Sequence, residues 1–346
     1  MEIAARASLQ DVARAAGVSL ATVDRVLHGR AGVRARTVER VNEVVRQLAY
    51  RPDPAAARLA RNRVVRVVFV LPTGTNSFVT LLNQQVQALA SWLAEQRANA
   101  VVQRVDVFSP VALARHLAGL QGRCEAVVVM ALDHPQVRAA IDDLVAHGTV
   151  VVTMVSDVPS SRREHFVGID NVAAGRTAAT LLGRFVQAGG AEGRIGIVMG
   201  SRSLRDHAER LFGFEQVMAA EYPRLRLLVP IEGHDLSHRT EPLVARLLKR
   251  EPALAGLYSI GAGNRGIQAA LVASGRAQHV AWVCHELTPH ARRALLDGVA
   301  DAVINQDAGH EVRSACRLAL AGVLGERVLA EQERIRIDIF VKDNLP

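Results

Sequence analysis

The sequence predicts an α/β protein with an N-terminal all-α helix-turn-helix head, a short linking helix, and a two-lobed domain of parallel sheets. Residues 8–48 contain three short amphipathic helical patterns. From Val64 onward, apolar strand-like runs alternate with amphipathic helices, which is typical of parallel sheets covered by helices. The alternation yields about ten strands, too many for one small doubly wound domain, so we expect two lobes with a cleft between them.

The stretch "SLQDVARAAGVSLATVDRVL" has the local signals of two helices joined by a tight turn. Ser8 and Asp11 form a capping-box pattern at the start of the first helix. Gly17 can take a positive φ and so ends that helix, and Ser19 caps the next one. The pattern is that of a helix-turn-helix unit, whose second helix enters the major groove of DNA.

A helical hairpin packed on a core would show the same turn. Thr22 and Arg25, however, lie off the apolar stripe of the second helix, which favours DNA contact over simple packing. Charge agrees, because residues 1–66 contain 13 Arg, no Lys and 6 acids and so hold +7 of the chain's net +8. The candidate DNA-contacting residues of this unit are Ser19, Leu20, Ala21, Thr22, Asp24, Arg25 and His28.

The segment "YRPDPAAARLARNR" links the head to the rest of the chain. Pro52 and Pro54 mark a linker, and Pro54 suits the first turn of a short helix. The strands then expected are "VVRVVFVLP", "NAVVQRVDV", "AVVVMAL", "TVVVTMVSD", "FVGID", "RIGIVMG", "LAGLYSIG" and "VAWVCHE". Ligands of such sheets bind beyond the carboxyl ends of the strands, so polar side chains in the loops after these strands are candidates for ligand contact.

Over its full length the chain resembles the LacI/GalR-type (lactose- and purine-repressor-like) transcription regulators. "DVARAAGVSLATVDRVL" is close to that family's D-V-A-x-x-A-G-V-S-x-x-T-V-S-R-V-L signature, and "LAYRPDPAAARLAR" is similar to its hinge. The resemblance implies a type I periplasmic-binding-protein-like effector domain whose chain crosses between lobes near residues 163, 306 and 327. The domains expected are a head over 1–50, a hinge helix over 51–63, and an effector domain over 64–346. Lobe 1 would comprise 64–163 and 307–326, and lobe 2 would comprise 164–306 and 327–346.

The resemblance also implies residue roles. Leu59 would wedge into the central minor groove of the operator beside Arg58. Arg210 opens "RLFGF", similar to the family's ligand-binding R-x-x-G-F, and His285 stands where relatives often carry a ligand-binding Asp. The candidate ligand-binding residues are Asn76, Phe78, Asp157, Arg210, Asn264, Arg265, His285 and Gln306.

Two motifs suggest other functions. "GAGNRG" at 261–266 fits G-x-G-x-x-G after a strand and has Glu286 twenty residues on, so a nicotinamide-dependent oxidoreductase is the runner-up function. "HELTPH" misses the zinc motif H-E-x-x-H by one residue and is interrupted by Pro289, so we expect no metal site. A solute-binding receptor is the third alternative, opposed by the attached head and by an N-terminus without a long apolar run.

We therefore expect a cytoplasmic, non-enzymatic regulator without cofactor or membrane span. Cys124, Cys284 and Cys316 are scattered and read as buried reduced thiols. Its partners would be a double-stranded, pseudo-palindromic DNA operator, a small-molecule effector (a sugar, polyol or sugar acid), and a second copy of itself in a homodimer or tetramer. It would act as a repressor of a catabolic operon.

Asp24 yields a prediction, since the related family usually has Ser there and an acid beside phosphate is repulsive. A carboxylate can accept from cytosine N4, so we expect Asp24 to narrow specificity at the expense of affinity. Asp24→Ser should then bind random DNA more tightly and with a steeper salt dependence. Fluorescence anisotropy across a salt series measures both quantities. Unchanged affinity and slope would mean that Asp24 points away from the duplex, for example toward His28 one helical turn on.

Overall fold

The computed structural model describes residues 7–27, 32–48, 50, 64–74, 76–188, 193–261 and 263–346. The chain divides into two units, Met1–Arg63 and Val64–Pro346. The expectations for His28, Arg58, Leu59 and the hinge over 51–63 lie outside the described residues.

The described residues of the first unit form the helices α1 (Leu9–Ala16), α2 (Leu20–Leu27) and α3 (Ala35–Gln47). Ser8 and Asp11 form the predicted capping box at the start of α1, and Gly17 ends that helix with a φ of 61°. Val12, Val23 and Val41, one from each helix, are fully buried in a common apolar core. The periodicity of the sequence thus predicts these three helices and the inward position of the three valines.

The first lobe of the second unit is built on a five-stranded parallel sheet in the order β2-β1-β3-β4-β5. Its strands are β1 (Val65–Pro72), β2 (Ala98–Val105), β3 (Ala126–Val129), β4 (Val150–Met154) and β5 (His165–Val167). The connecting helices are α4 (Ser77–Ala88), α5 (Ala90–Glu95), α6 (Pro110–Ala118) and α7 (Pro135–Ala146).

The second lobe is built on a seven-stranded sheet in the order β12-β11-β10-β9-β6-β7, with β8 also paired to β6. Its strands are β6 (Arg194–Met199), β7 (Arg226–Leu227), β8 (Ile231–Glu232), β9 (Leu254–Ser259), β10 (Ala281–His285), β11 (Ala302–Gln306) and β12 (Ile337–Phe340), of which only β12 pairs antiparallel. The helices are α8 (Asn171–Ala188), α9 (Arg205–Glu221), α10 (Ser237–Arg250), α11 (Asn264–Ala273) and α12 (Pro289–Leu296).

The chain passes three times between the two sheets. Strand β5 belongs to the first sheet, so the first passage follows Val167 rather than residue 163, because the "FVGID" strand pairs with β4. The second passage follows Gln306 and leads to α13 (Ala308–Leu324), which packs on β1, β3, β4 and β5. The third precedes β12, and the short 3₁₀ helices Ala330–Glu333 and Lys342–Asn344 flank that strand.

Helices α8 and α9 approach each other closely, and two glycines make this approach feasible. A Cβ on Gly213 would overlap the carbonyl of Val172, and a Cβ on Gly175 would overlap the carbonyl of Arg210. Both clashes involve backbone, which cannot move aside as a side chain can. The glycine of the "RLFGF" motif thus fixes where Arg210, one helical turn earlier, sits against α8.

We expect Gly213→Ala to destabilise the second lobe by roughly 1–3 kcal/mol, because an added methyl group overpacks a close helix contact. Differential scanning calorimetry should show a melting temperature several degrees lower. Gly119→Ala is the matched control, because Gly119 ends α6 with a helical backbone and the nearest atom to its Cβ would be the His116 carbonyl oxygen at 3.3 Å. Equal melting temperatures for the two variants would contradict the close approach of α8 and α9.

Candidate functional site

A cavity of about 450 Å³, including its open mouth, lies between the lobes. Its walls come from the start of α4 in the first lobe and from the segments after β8, β9 and β10 in the second lobe. These segments follow the carboxyl ends of parallel strands, where ligands of such sheets bind. Five of the eight candidate ligand residues line the cavity, namely Asn76, Phe78, Asn264, Arg265 and His285.

The two first-lobe candidates also have local structural roles. The Oδ1 atom of Asn76 accepts a hydrogen bond from the Phe78 amide at 2.9 Å and so caps α4. Phe78 is buried and packs in the apolar core of the domain while it lines the cavity. The Phe78 side chain, which forms part of the first-lobe wall of the cavity, is therefore held in place by the apolar core of the domain.

On the second lobe, Asn264 and His285 are fixed by neighbouring strands. Asn264 accepts from the Ser259 hydroxyl at 2.5 Å and donates to the His285 carbonyl at 2.9 Å. The His285 Nε2 atom lies 2.8 Å from the Tyr258 hydroxyl, and burial lowers the pKa of the imidazole well below its usual value. His285 is therefore neutral at physiological pH. The other polar candidate of this lobe, Arg265, is exposed to solvent at the mouth of the cavity.

Arg210 and Gln306 are not among the residues that line this cavity, but both contact Glu286, which does line it. Arg210 is 2 % exposed, and it donates to Asn171 Oδ1 at 2.8 Å and to the Ile260 carbonyl at 2.9 Å. Its Nη1 atom lies 3.6 Å from Glu286 Oε1, and the Gln306 amide donates to the same oxygen at 2.7 Å. Arg210 and Gln306 therefore contact the lining residue Glu286 without lining the cavity themselves.

Glu286 lines the cavity although it was not among the candidate ligand residues. In the sequence this acid stood out only in the dinucleotide and zinc motifs, and His285 was expected in the place of the relatives' Asp. In the structure the acid of this loop is Glu286, one residue later, with a φ of 68° that few non-glycine residues adopt. Burial raises its pKa to about 7, against the opposing effects of Arg210 and Gln306.

Several buried polar atoms around Glu286 have no hydrogen-bond partner among the described residues. They are Arg210 Nη2, His285 Nδ1, Glu286 Oε2 and Gln306 Oε1. Buried polar atoms are normally paired, because an unpaired one costs about 1–3 kcal/mol. A cluster of them beside a cavity indicates a place where a polar ligand completes the hydrogen bonds.

Asp157 differs from the other candidates. Its carboxylate binds Arg163 at 2.5 and 2.6 Å and accepts from the Thr153 hydroxyl at 2.6 Å. It does not line the cavity, and this bidentate ion pair already satisfies both of its oxygens. The expectation that Asp157 binds ligand is therefore not supported by its position.

The lobes touch beside the cavity. Leu204, which precedes α9 in the second lobe, is buried in the apolar core of the first lobe. Arg205 pairs across the cleft with Asp133 at 3.3 Å, and the His234 ring lies edge-on to Phe108 with their centroids 6.0 Å apart. The cleft is thus closed in this conformation.

In the first unit, the residues expected to face DNA cover one side of α2. The Ser19 hydroxyl accepts from the Thr22 amide at 3.2 Å, as a cap at the start of the helix does. Leu20, Ala21 and Arg25 are exposed, and Asp24 is half-buried. An exposed leucine at a helix start suits contact with a thymine methyl group.

Comparison with known proteins assigns the chain to a family. Residues 8–53 match the bacterial regulatory proteins of the lacI family, and residues 67–327 match the periplasmic binding protein domain. The chain joins a lacI-family head to a domain of the periplasmic binding protein family. Its fold, a helix-turn-helix head joined to a two-lobed domain of parallel sheets, is the one that the sequence predicts.

Similar proteins support this assignment. Catabolite control protein A of Staphylococcus aureus is 38% identical over 84 residues, which cover 24% of this chain and 26% of that protein. The match thus spans about a quarter of the length of that relative.

Solved structures share the fold of the second unit of the chain. GanP, a glucose-galactose binding protein from Geobacillus stearothermophilus, has a TM-score of 0.73 and 20% identity over 82% of this chain and 100% of that one. A putative LacI transcriptional regulator from Bacteroides fragilis has a TM-score of 0.71 and 14% identity over 82% of this chain and 98% of that one.

The dinucleotide-like and zinc-like motifs both have structural explanations in this protein. A Cβ on Gly266 would overlap the Ser237 carbonyl, and one on Gly261 would come within 2.6 Å of the His207 ring, so packing within the lobe requires these glycines. "HELTPH" spans the end of β10 and the start of α12, so its two histidines do not share a helix. Among the described helices, none has the length and apolar character needed to cross a membrane.

The raised pKa of Glu286 predicts a pH-dependent stability. A carboxyl whose folded-state pKa lies above its ordinary value of 4.5 stabilises the fold fully below that value, and the contribution is lost as pH rises toward about 7. Glu286→Gln cannot ionise, so we expect its stability relative to wild type to increase between pH 5 and pH 8, by a few kcal/mol. Melting temperatures at both pH values measure this difference. Glu215→Gln, an exposed carboxyl on α9, is the control and should show none; a pH-independent difference for Glu286→Gln would contradict the raised pKa.

Proposed function

We propose that this protein is a ligand-responsive, DNA-binding transcription regulator that represses genes for the catabolism of a sugar, polyol or sugar acid. The observation that carries the proposal is the presence in one chain of a lacI-family head and an interlobe cavity bordered by unpaired buried polar atoms. A solute-binding receptor would need the cavity alone, and the head would have no role in it.

On the DNA side, two copies of the head read a pseudo-palindromic operator. A helix-turn-helix unit presents one recognition helix, and a homodimer places two of them in successive major grooves. The exposed side chains of α2 supply the base contacts, and the arginines of residues 1–66 supply the attraction to phosphate.

On the ligand side, the effector binds in the interlobe cavity and biases the relative position of the lobes. The size of the response is set by how much more tightly the effector binds one lobe arrangement than the other. A sugar or polyol suits the site because hydroxyl groups both donate and accept, and the amide, imidazole, guanidinium and carboxyl groups of the site offer both kinds of partner. The glucose-galactose binding protein of similar fold is consistent with this ligand class.

Selection of DNA from a random pool by the purified full-length protein, followed by footprinting, tests the DNA-binding half of the proposal. We expect a protected site with two related half-sites. Recovery of DNA without a shared sequence would contradict a sequence-specific regulator. A thermal-shift screen of sugars, polyols and sugar acids then identifies an effector, since a ligand that binds only the folded state raises the melting temperature.

Arg210→Ala is expected to abolish the effector response while the protein still binds the operator. The guanidinium has one unpaired nitrogen beside Glu286, and loss of a buried charged contact costs a few kcal/mol in ligand binding. Gel shifts with and without the effector found in the screen, together with a melting curve, measure both properties.

Arg163→Ala is the matched control. Arg163 also pairs with a carboxylate, that of Asp157, but it does not line the cavity. If Arg210 is only structural, its substitution will weaken operator binding and lower the melting temperature together. A wild-type effector response in Arg210→Ala would remove Arg210 from the site.

A further inference from the structure

Four helices begin at the wall of the interlobe cavity. The residues that line it at their N-termini are Asn76 for α4, Ser237 for α10, Gly263 for α11 and Thr288 for α12. These helices are 12, 14, 10 and 8 residues long, respectively. A helix N-terminus carries partial positive charge and amide donors without partners inside the helix, so it favours a negatively charged group. Four such ends at one cavity add their effects.

Two of these four N-termini have no side-chain cap. The side-chain oxygens of Asn76 and Thr288 accept from backbone amides and so cap α4 and α12. The residues that precede α10 and α11, Leu236 and Gly263, make no side-chain cap. A cap supplies an oxygen acceptor to the first amides of a helix, so an oxygen of a ligand in the cavity can take that place at α10 and α11.

A buried ring nitrogen of the cavity wall independently offers a hydrogen-bond donor. His285 lines the cavity and is buried, and its Nδ1 atom has no hydrogen-bond partner among the described residues. Its Nε2 atom lies 2.8 Å from the hydroxyl of Tyr258, which is fully buried and must give its hydrogen to an acceptor. If Tyr258 donates to Nε2, the neutral imidazole carries its own hydrogen on Nδ1. His285 then presents an unused N–H group that a ligand oxygen can accept.

Glu286, in its protonated form, adds a second donor. Burial raises the pKa of this carboxyl to about 7, so much of it is neutral at physiological pH. Gln306 donates to Oε1, which leaves the carboxyl hydrogen on Oε2, the oxygen without a partner among the described residues. The guanidinium of Arg210, 3.6 Å from Oε1, then faces no negative charge at this carboxyl. A protonated Glu286 therefore leaves positive charge beside the cavity.

The remaining charged groups of the wall are Arg265 and Asp235. Arg265 is exposed at the mouth, and it is the second residue of the uncapped helix α11. Asp235 is a carboxylate and opposes an anion, but its Oδ1 atom lies 2.5 Å from where a Cβ on Gly200 would be. Gly200 follows β6 and does not line the cavity. The start of α11 is therefore the part of the wall where a helix end and a guanidinium act together.

We propose that the effector is a polyhydroxylated compound with an anionic group, a carboxylate or a phosphate, that binds at the N-terminus of α11 with Arg265 and His285. Asn264, the first residue of α11, donates to the His285 carbonyl at 2.9 Å and so holds the two parts of this site together. The proposal rests on the proposed function and narrows its effector to a sugar acid or a sugar phosphate. A neutral sugar would leave the helix ends and the guanidinium without a counter-charge.

Isothermal titration calorimetry with matched compounds tests the proposal. D-Glucose, D-galactose and D-mannose are each compared with the corresponding uronate and with the phosphate monoester at the terminal carbon. We expect at least one anion to bind the full-length protein about tenfold or more tightly than its parent hexose, because it gains charge-assisted hydrogen bonds. The series that shows this preference distinguishes a carboxylate effector from a phosphate effector. Tighter binding of the parents than of their anions, or no binding by any anion, would overturn the proposal.

Arg265→Gln isolates the anion-binding part of the site. Arg265 is exposed, so the variant should fold and bind the operator like wild type. It should lose most of the preference for the anion, by about tenfold, and bind the parent hexose as before, because only the charge at the helix end is removed. Arg293→Gln, which removes an exposed guanidinium of α12 that does not line the cavity, is the control and should keep the preference. An unchanged preference in Arg265→Gln would contradict the assignment.

Operator gel shifts separate this inference from the proposed function. If an anion binds with the expected preference but does not alter operator binding, the ligand assignment stands and the effector-responsive function fails. If a neutral hexose binds best and alters operator binding, the function stands and the anion assignment fails.

Discussion

The guanidinium of Arg210 is the interaction on which the second lobe and the ligand site both depend. A charge with 2 % exposure must be paired on several sides, and Arg210 achieves this by joining Asn171 of α8, the carbonyl after β9, and Glu286 after β10. Gln306 extends the same network to the second passage between the lobes. One buried charge thereby fixes the relative positions of two helices and three strand ends, and any ligand that reaches Glu286 acts on all of them.

The close contact of α8 and α9 is the packing counterpart of this network. Two glycines let the helix backbones meet, which brings Arg210 within reach of Asn171 without a long, flexible connection. The Arg210 side chain therefore loses little additional conformational entropy when it binds Asn171, because the helix contact has already fixed the backbone of Arg210. The packing of these two helices thus positions the charge that contacts Glu286.

Much of this arrangement was predictable from the sequence, and the failures have physical causes. Regular periodicity gave the helices of the head and the strands of both lobes, because burial imposes a repeat on the chain. The loops were harder, since a polar side chain after a strand can serve a ligand, a helix cap or an ion pair. Asn76 both caps a helix and lines the cavity, whereas Asp157 is used in an ion pair with Arg163. Nothing in the sequence around either residue shows which of these roles it has. Glu286 became visible as part of the site only once the fold brought it together with Arg210 and Gln306.

The contacts that close the cleft have an energetic consequence. Leu204 lies in the core of the opposite lobe, and the Arg205–Asp133 pair and the Phe108–His234 contact join the same two lobes. Separating the lobes moves this leucine out of its apolar surroundings, which costs about 1.5–3 kcal/mol, and breaks the ion pair and the ring contact as well. The effector proposed above must therefore offset this cost wherever it favours a more open arrangement of the lobes.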